Sequence, residues 1–217
     1  MKTFKQYILE YNLEYPNIPI PIHYSNKILV EEIYIPEHNI IHLDNHLKSI
    51  YPITDINHIN EIKKYSCGSF DLNKQLLEYH KRKINPPRII KGTNYDWFGS
   101  KGKDKFPYEG YTKIPVEHDL HHLDNLTNTR IKEPLTVYSG IRFNPEEVMD
   151  SRKIIHVPSY YSSTIDPKIT KEFSEGSDGI NRVIKLHLGS DNKGIYIDKH
   201  HTFQNGEYKE FLLPRHI

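Results

Sequence analysis

The chain has 217 residues, enough for one medium-sized domain with a substantial core and too few to require a second. Its 29 Lys and Arg nearly cancel its 28 Asp and Glu, and the resulting charge of +1 gives no reason to expect a nucleic-acid partner held by overall charge, so any such role would need a local patch. The polar amino end, the lack of any run near the roughly 20 apolar residues of a membrane span, and a single cysteine, Cys67, point to a soluble cytoplasmic protein without disulfides or a membrane partner.

Residues 3 to 14 place Phe4, Tyr7, Ile8 and Tyr11 at the spacing of a short amphipathic helix, which Pro16, Pro19 and Pro21 terminate. The β-branched residues Ile28, Val30, Ile33 and Ile35 predict a strand, and Pro36 followed by residues 38 to 49 predicts a helix. Between Asn60 and Ile84 two helical segments are expected on either side of a turn at Tyr65-Ser66-Cys67-Gly68-Ser69, with Cys67 as a small half-buried residue. The Pro-, Gly- and Lys-rich stretch from 86 to 115 reads as a long irregular connection, followed by a polar helix over 116 to 129.

Short strands then follow at 135–139, 154–157, 160–163, 183–188, 194–197 and 209–213. Helices first and strands later imply an α+β fold with a mixed or antiparallel sheet. The expected division is an amino-terminal extension over 1–58, without an assigned role, and a catalytic domain over 59–217.

Three pieces of the strand-rich half carry chemistry. They are Leu135-Thr136-Val137-Tyr138-Ser139-Gly140, then Tyr160-Tyr161-Ser162-Ser163-Thr164-Ile165-Asp166-Pro167 followed by Phe173, then Glu207-Tyr208-Lys209-Glu210-Phe211-Leu212-Leu213-Pro214-Arg215. In order and spacing they resemble the signature of mono-ADP-ribosyltransferases of the arginine-serine-glutamate class, of phage or bacterial toxin type, over roughly residues 60 to 217. The resemblance implies a β-sandwich core of that family's type. It also implies NAD as substrate, no metal, and an acceptor protein, host-derived if the chain is phage-encoded.

Cleaving the nicotinamide–ribose bond develops positive charge on the sugar, which a nearby carboxylate stabilises. The resemblance makes Glu210 that carboxylate and Ser162 the hydroxyl that positions it, with Tyr138, Ser139, Gly140, Ser163, Thr164 and Phe173 around the NAD; in the family a buried Phe occupies the helix after the second motif. At the family's arginine position stands Ser139, so Arg142 is the expected pyrophosphate ligand, with Arg130 and Arg88 as weaker substitutes and Gly140 permitting the bulge that would turn Arg142 inward. The turn over 199 to 208 would recognise the acceptor through Phe203, Glu207 and Tyr208. Tyr208 stands where arginine-modifying relatives carry a second Glu, which argues against arginine as acceptor.

Fourteen histidines include His38, His42 and His46 on one helical face and the group His118, His121 and His122, which read as surface or half-buried helix residues because no Cys pair or His-Glu motif accompanies them. The absence of alanine suggests an AT-rich genome, and Ile8-Leu9-Glu10 is similar to a cleavage site that ends the targeting helix of proteins packaged in phage heads. Two competing functions follow from the same residues: a catalytically inactive virion or binding protein of the same fold, and an NAD glycohydrolase with water as acceptor.

Overall fold

The computed structural model describes residues 22–25, 35, 37–96, 112–141, 151, 155–174, 182–197 and 209–216. The expected helix over 3–14 and nearly all of the expected strand ending at Ile35 lie outside the described residues, as does the Cys67 side chain. Among the described residues the chain is α+β, with four α-helices and antiparallel strands. None of the helices among the described residues is long and apolar enough to cross a membrane.

In chain order the elements are β1 (Ile22–Ser25), α1 (Glu37–Ile50), α2 (Ile56–Lys81), β2 (Ile89–Asp96), β3 (Thr112–Asp119), α3 (Leu120–Thr127) and β4 (Leu135–Ile141). After these come β5 (Tyr161–Thr164), a 3-10 turn (Pro167–Thr170), α4 (Lys171–Ser174), β6 (Arg182–Leu188), β7 (Ile195–Ile197) and β8 (Glu210–Leu213). The strand expected over 154–157 does not form at its described residues, 155 to 157, which are irregular.

Two expectations are corrected by packing. The turn expected at 65–69 is instead the middle of α2, a single helix of 26 residues. Ile62, Tyr65, Leu72 and Leu76 form one buried stripe that runs straight through the Ser-Cys-Gly-Ser segment. A single glycine costs a helix only about 1 kcal/mol, and burial of that stripe exceeds it. The stretch from 86 to 115 is likewise not wholly irregular, because β2 and β3 pair over Ile89↔Asp119 to Asp96↔Thr112 as a two-stranded ribbon.

The ribbon is tied to α2 by a buried polar contact. His118 Nδ1 lies 3.1 Å from Glu61 Oε1, and both side chains are almost wholly buried. Lys64 Nζ binds the other Glu61 oxygen at 3.1 Å and the Glu117 carbonyl at 2.9 Å. His118 is thus a fully buried strand residue, not the surface or half-buried helix residue that its neighbours suggested.

The main sheet has six strands in the order β1-β6-β4-β5-β8-β7. Its halves, β1-β6-β4 and β5-β8-β7, join at a single ladder position, Tyr138↔Thr164. The boundary expected after residue 58 falls inside α2, and Ile40, Leu47, Tyr51 and Ile53 before it belong to the same core. β1 is hydrogen-bonded to β6, Tyr51 packs edge-on against Phe211 at 5.8 Å, and the Tyr51 hydroxyl accepts from Lys132 N at 2.9 Å.

The register fixes which side chains share a face, since directly opposed residues in a sheet point the same way. Lys185, Tyr138, Thr164, Glu210 and Ile197 oppose one another in turn across five strands, forming one row. Val137, Ile184 and Leu186 point to the other side and join the main apolar core, whereas Tyr138 and Val183 form a small separate cluster with Ile35.

At Gly140 the chain following β5 folds back on the sheet. A Cβ there would lie 2.4 Å from the Thr170 carbonyl oxygen, 2.9 Å from Phe173 C and 3.0 Å from Ser174 N. β4 runs in unbroken register with β6 from Leu135↔Leu188 to Ile141↔Arg182, so Gly140 permits close approach of a neighbouring backbone and not the expected bulge. Gly140→Ala should therefore destabilise the fold by at least about 1–3 kcal/mol in denaturant unfolding, because backbone and not a flexible side chain obstructs the methyl group. An unchanged unfolding midpoint and slope would contradict this packing.

Candidate active site

Tyr161, Ser162, Ser163 and Thr164 are aromatic, hydroxylic and β-branched residues suited to a short strand, and Asp166 ends it by capping the following 3-10 turn at Lys168 N. β8 pairs with β5 in the register Thr164↔Glu210 and Ser162↔Leu212. Glu210 is the first residue of β8, and Phe211, Leu212 and Leu213 behind it are completely buried, which anchors the carboxylate on a rigid strand.

Ser162 Oγ donates to Glu210 Oε1 at 2.5 Å. The serine is exposed and the glutamate half-buried, so the pair lies where the core meets solvent. Burial raises the Glu210 pKa above the ordinary carboxylate range, while the Ser162 hydrogen bond works in the opposite direction. A carboxylate that has lost water and gained one oriented donor is poised to bind a developing positive charge strongly.

Two flanking contacts set this geometry. Lys209 has a left-handed backbone, φ 43°, and its carbonyl accepts from Ile165 N at 3.2 Å and Thr164 Oγ1 at 3.3 Å. Its ammonium binds Asp166 Oδ2 at 2.9 Å, joining the end of β5 to the start of β8. From α2, the buried Tyr65 comes within electrostatic range of Glu210: its hydroxyl pKa is raised by burial first and by the Glu210 charge second.

The other expected residues divide. Ser163 Oγ donates to the Phe211 carbonyl at 2.7 Å, and Thr164 Oγ1 accepts from Asp166 N at 3.1 Å, so both hydroxyls hold backbone together at buried positions. Ser139 is buried and donates to the Ser162 carbonyl at 3.1 Å. Tyr138 and Gly140 share the Glu210 face by register, the tyrosine buried and the glycine covered by α4. Phe173, expected to be buried, is 44% exposed because α4 is a single short turn. Arg142, Phe203, Glu207 and Tyr208 lie outside the described residues.

Of the substitute arginines, Arg88 is engaged by Asp119 through contacts of 2.8 to 3.1 Å on the β2/β3 ribbon. Arg130 sits outside the strands, bridging backbone to Lys193. Among the described residues no three His, Cys, Asp or Glu side chains are grouped to hold a metal ion.

Sequence reasoning missed Tyr65, whose helical spacing is that of any core aromatic, and the pairing of Lys209 with Asp166, which no motif signals. Comparisons with protein-family models, with curated proteins and with solved structures find no match to this chain.

A desolvated carboxylate costs the fold stability when it ionises. The raised folded-state pKa means that this cost is absent below the ordinary glutamate pKa, appears as pH rises through it, and is complete above the folded-state pKa. Glu210→Gln, which cannot ionise, should thus melt at a higher temperature than the parent at neutral pH, with the difference vanishing as pH falls below the usual carboxylate range. A variant that is less stable by the same margin at every pH would contradict the desolvation.

Proposed function

We propose that the chain is a mono-ADP-ribosyltransferase that cleaves NAD at the nicotinamide–ribose bond and transfers ADP-ribose to a protein acceptor. The observation that carries this reading is the 2.5 Å hydrogen bond from Ser162 to a half-buried Glu210 held on a rigid strand. In the reaction the C1′–N bond breaks and nicotinamide leaves with the electron pair. An acceptor nucleophile then bonds to C1′ and gives up its proton.

The role of Glu210 is to stabilise the positive charge that grows on the ribose between these events, and that of Ser162 is to hold the carboxylate toward it. The α+β fold and the order of the three motif strands are consistent with a transferase of the arginine-serine-glutamate class. With a phage or bacterial origin, the acceptor would be a host protein.

One observation favours a second reading. Ser139, at the family's arginine position, is buried and occupied with a backbone carbonyl, as expected of a binding protein that retains the fold without catalysis.

Incubation with NAD labelled in its adenylate half and a bacterial lysate separates these outcomes. Label on protein is the expected result, free ADP-ribose alone would indicate a glycohydrolase, and neither would indicate the binding role. Glu210→Gln should lower labelling by at least about a hundredfold with little change in NAD affinity, since only a transition-state interaction is removed. Ser162→Ala should lower it less and shift the acid limb of the pH–rate profile upward, because the hydrogen bond that opposes the raised Glu210 pKa is lost. An unchanged acid limb in Ser162→Ala would contradict that coupling.

A further inference from the structure

The pyrophosphate of NAD requires a cation, and the row that contains Glu210 holds one on another strand. Lys185 on β6 opposes Tyr138, which opposes Thr164, which opposes Glu210. Along β6, Lys185 and His187 are half-buried while Ile184, Leu186 and Leu188 are buried, so the lysine points to the Glu210 face and away from the main core. The row crosses from β4 to β5 at Tyr138↔Thr164, the one ladder position at which the two halves of the sheet touch.

Among the described residues no ion pair or hydrogen bond reaches the Lys185 side chain. Other cationic side chains among the described residues are engaged or face elsewhere. Lys209 is bound to Asp166, Arg215 to Asp124 and Arg88 to Asp119, while Arg182 opposes Ile141 and faces the other side of the sheet. A partly dehydrated ammonium without a counter-ion favours the arrival of an anion.

Three strand spacings separate the Lys185 and Glu210 backbones, about 14 Å at about 4.8 Å each. In a dinucleotide, one ribose and one methylene lie between the scissile glycosidic bond and the first phosphate, and the long lysine stem shortens the remaining gap.

We infer that Lys185 is a binding residue for the substrate's pyrophosphate, supplying from β6 the charge that Ser139 lacks on β4. The inference rests on the transferase reading above. A lysine binds phosphate as a compact point charge with three donors, so arginine should replace it in part, whereas an uncharged chain of similar length should not.

Calorimetric titration of the full chain with NAD and with nicotinamide riboside, which lacks phosphate, tests it. Lys185→Met should weaken NAD binding by about ten- to a hundredfold, leave riboside binding unchanged and flatten the salt dependence of NAD affinity, with Lys185→Arg restoring much of the loss. Retained riboside binding demonstrates a folded site in the variant. Unchanged NAD affinity in Lys185→Met, or equal loss for NAD and riboside, would overturn the role of Lys185 and leave the transferase reading intact. A parent protein that binds neither compound would overturn both.

Discussion

The register between β5 and β8 is the constraint on which the site depends. Thr164 opposes Glu210 and Ser162 opposes Leu212, so the exposed serine and the first carboxylate of β8 lie diagonally on one face within hydrogen-bond reach. A slip of one residue would turn Glu210 to the other face and bring Phe211 into its place. Three neighbouring contacts oppose such a slip: the bond from Ser163 Oγ to the Phe211 carbonyl, the two donors on the Lys209 carbonyl, and the ion pair between Lys209 and Asp166. The left-handed backbone at Lys209 is sustained by the same contacts.

Stability and chemistry oppose each other at Glu210. The apolar residues behind it are what hold β8 in place, and the same burial disfavours its ionised form. Ser162 offsets part of that cost through its hydrogen bond. Other carboxylates near the sheet are satisfied differently. Asp124 receives Arg215 through two bonds at 2.7 and 2.8 Å and the Tyr160 hydroxyl at 2.7 Å, an arrangement that fastens the exit of β8 to α3. The contrast between a carboxylate held by an arginine and a tyrosine hydroxyl and one that receives a single serine hydroxyl is what singles out Glu210.

Much of the second half of the fold was legible in the sequence because its strands are short β-branched and aromatic runs whose spacing matches the observed elements within one or two residues. Ser162 and Glu210 were legible together, since motif order brings them near each other whatever the surrounding helices do. Less was legible where long-range packing decides. The continuity of α2 depends on the core that receives Ile62 and Leu72, and burial of His118 depends on a carboxylate 57 positions earlier in the chain. Lys185 carried no signal because its significance lies in cross-strand register, which alternation within one strand does not encode. Ser163 and Thr164 were grouped with Ser162 by motif, yet their hydroxyls serve the backbone.

These relations support the proposed chemistry, in which a half-buried Glu210, oriented by Ser162, promotes loss of nicotinamide from NAD. Chromatographic measurement of free nicotinamide released from NAD by the purified chain, with and without a lysate as a source of acceptor, tests it most directly. The account predicts release by the parent protein, faster with the lysate present, and release reduced to near background in Glu210→Gln. No release by the parent under either condition, or equal release by the parent and Glu210→Gln, would contradict it.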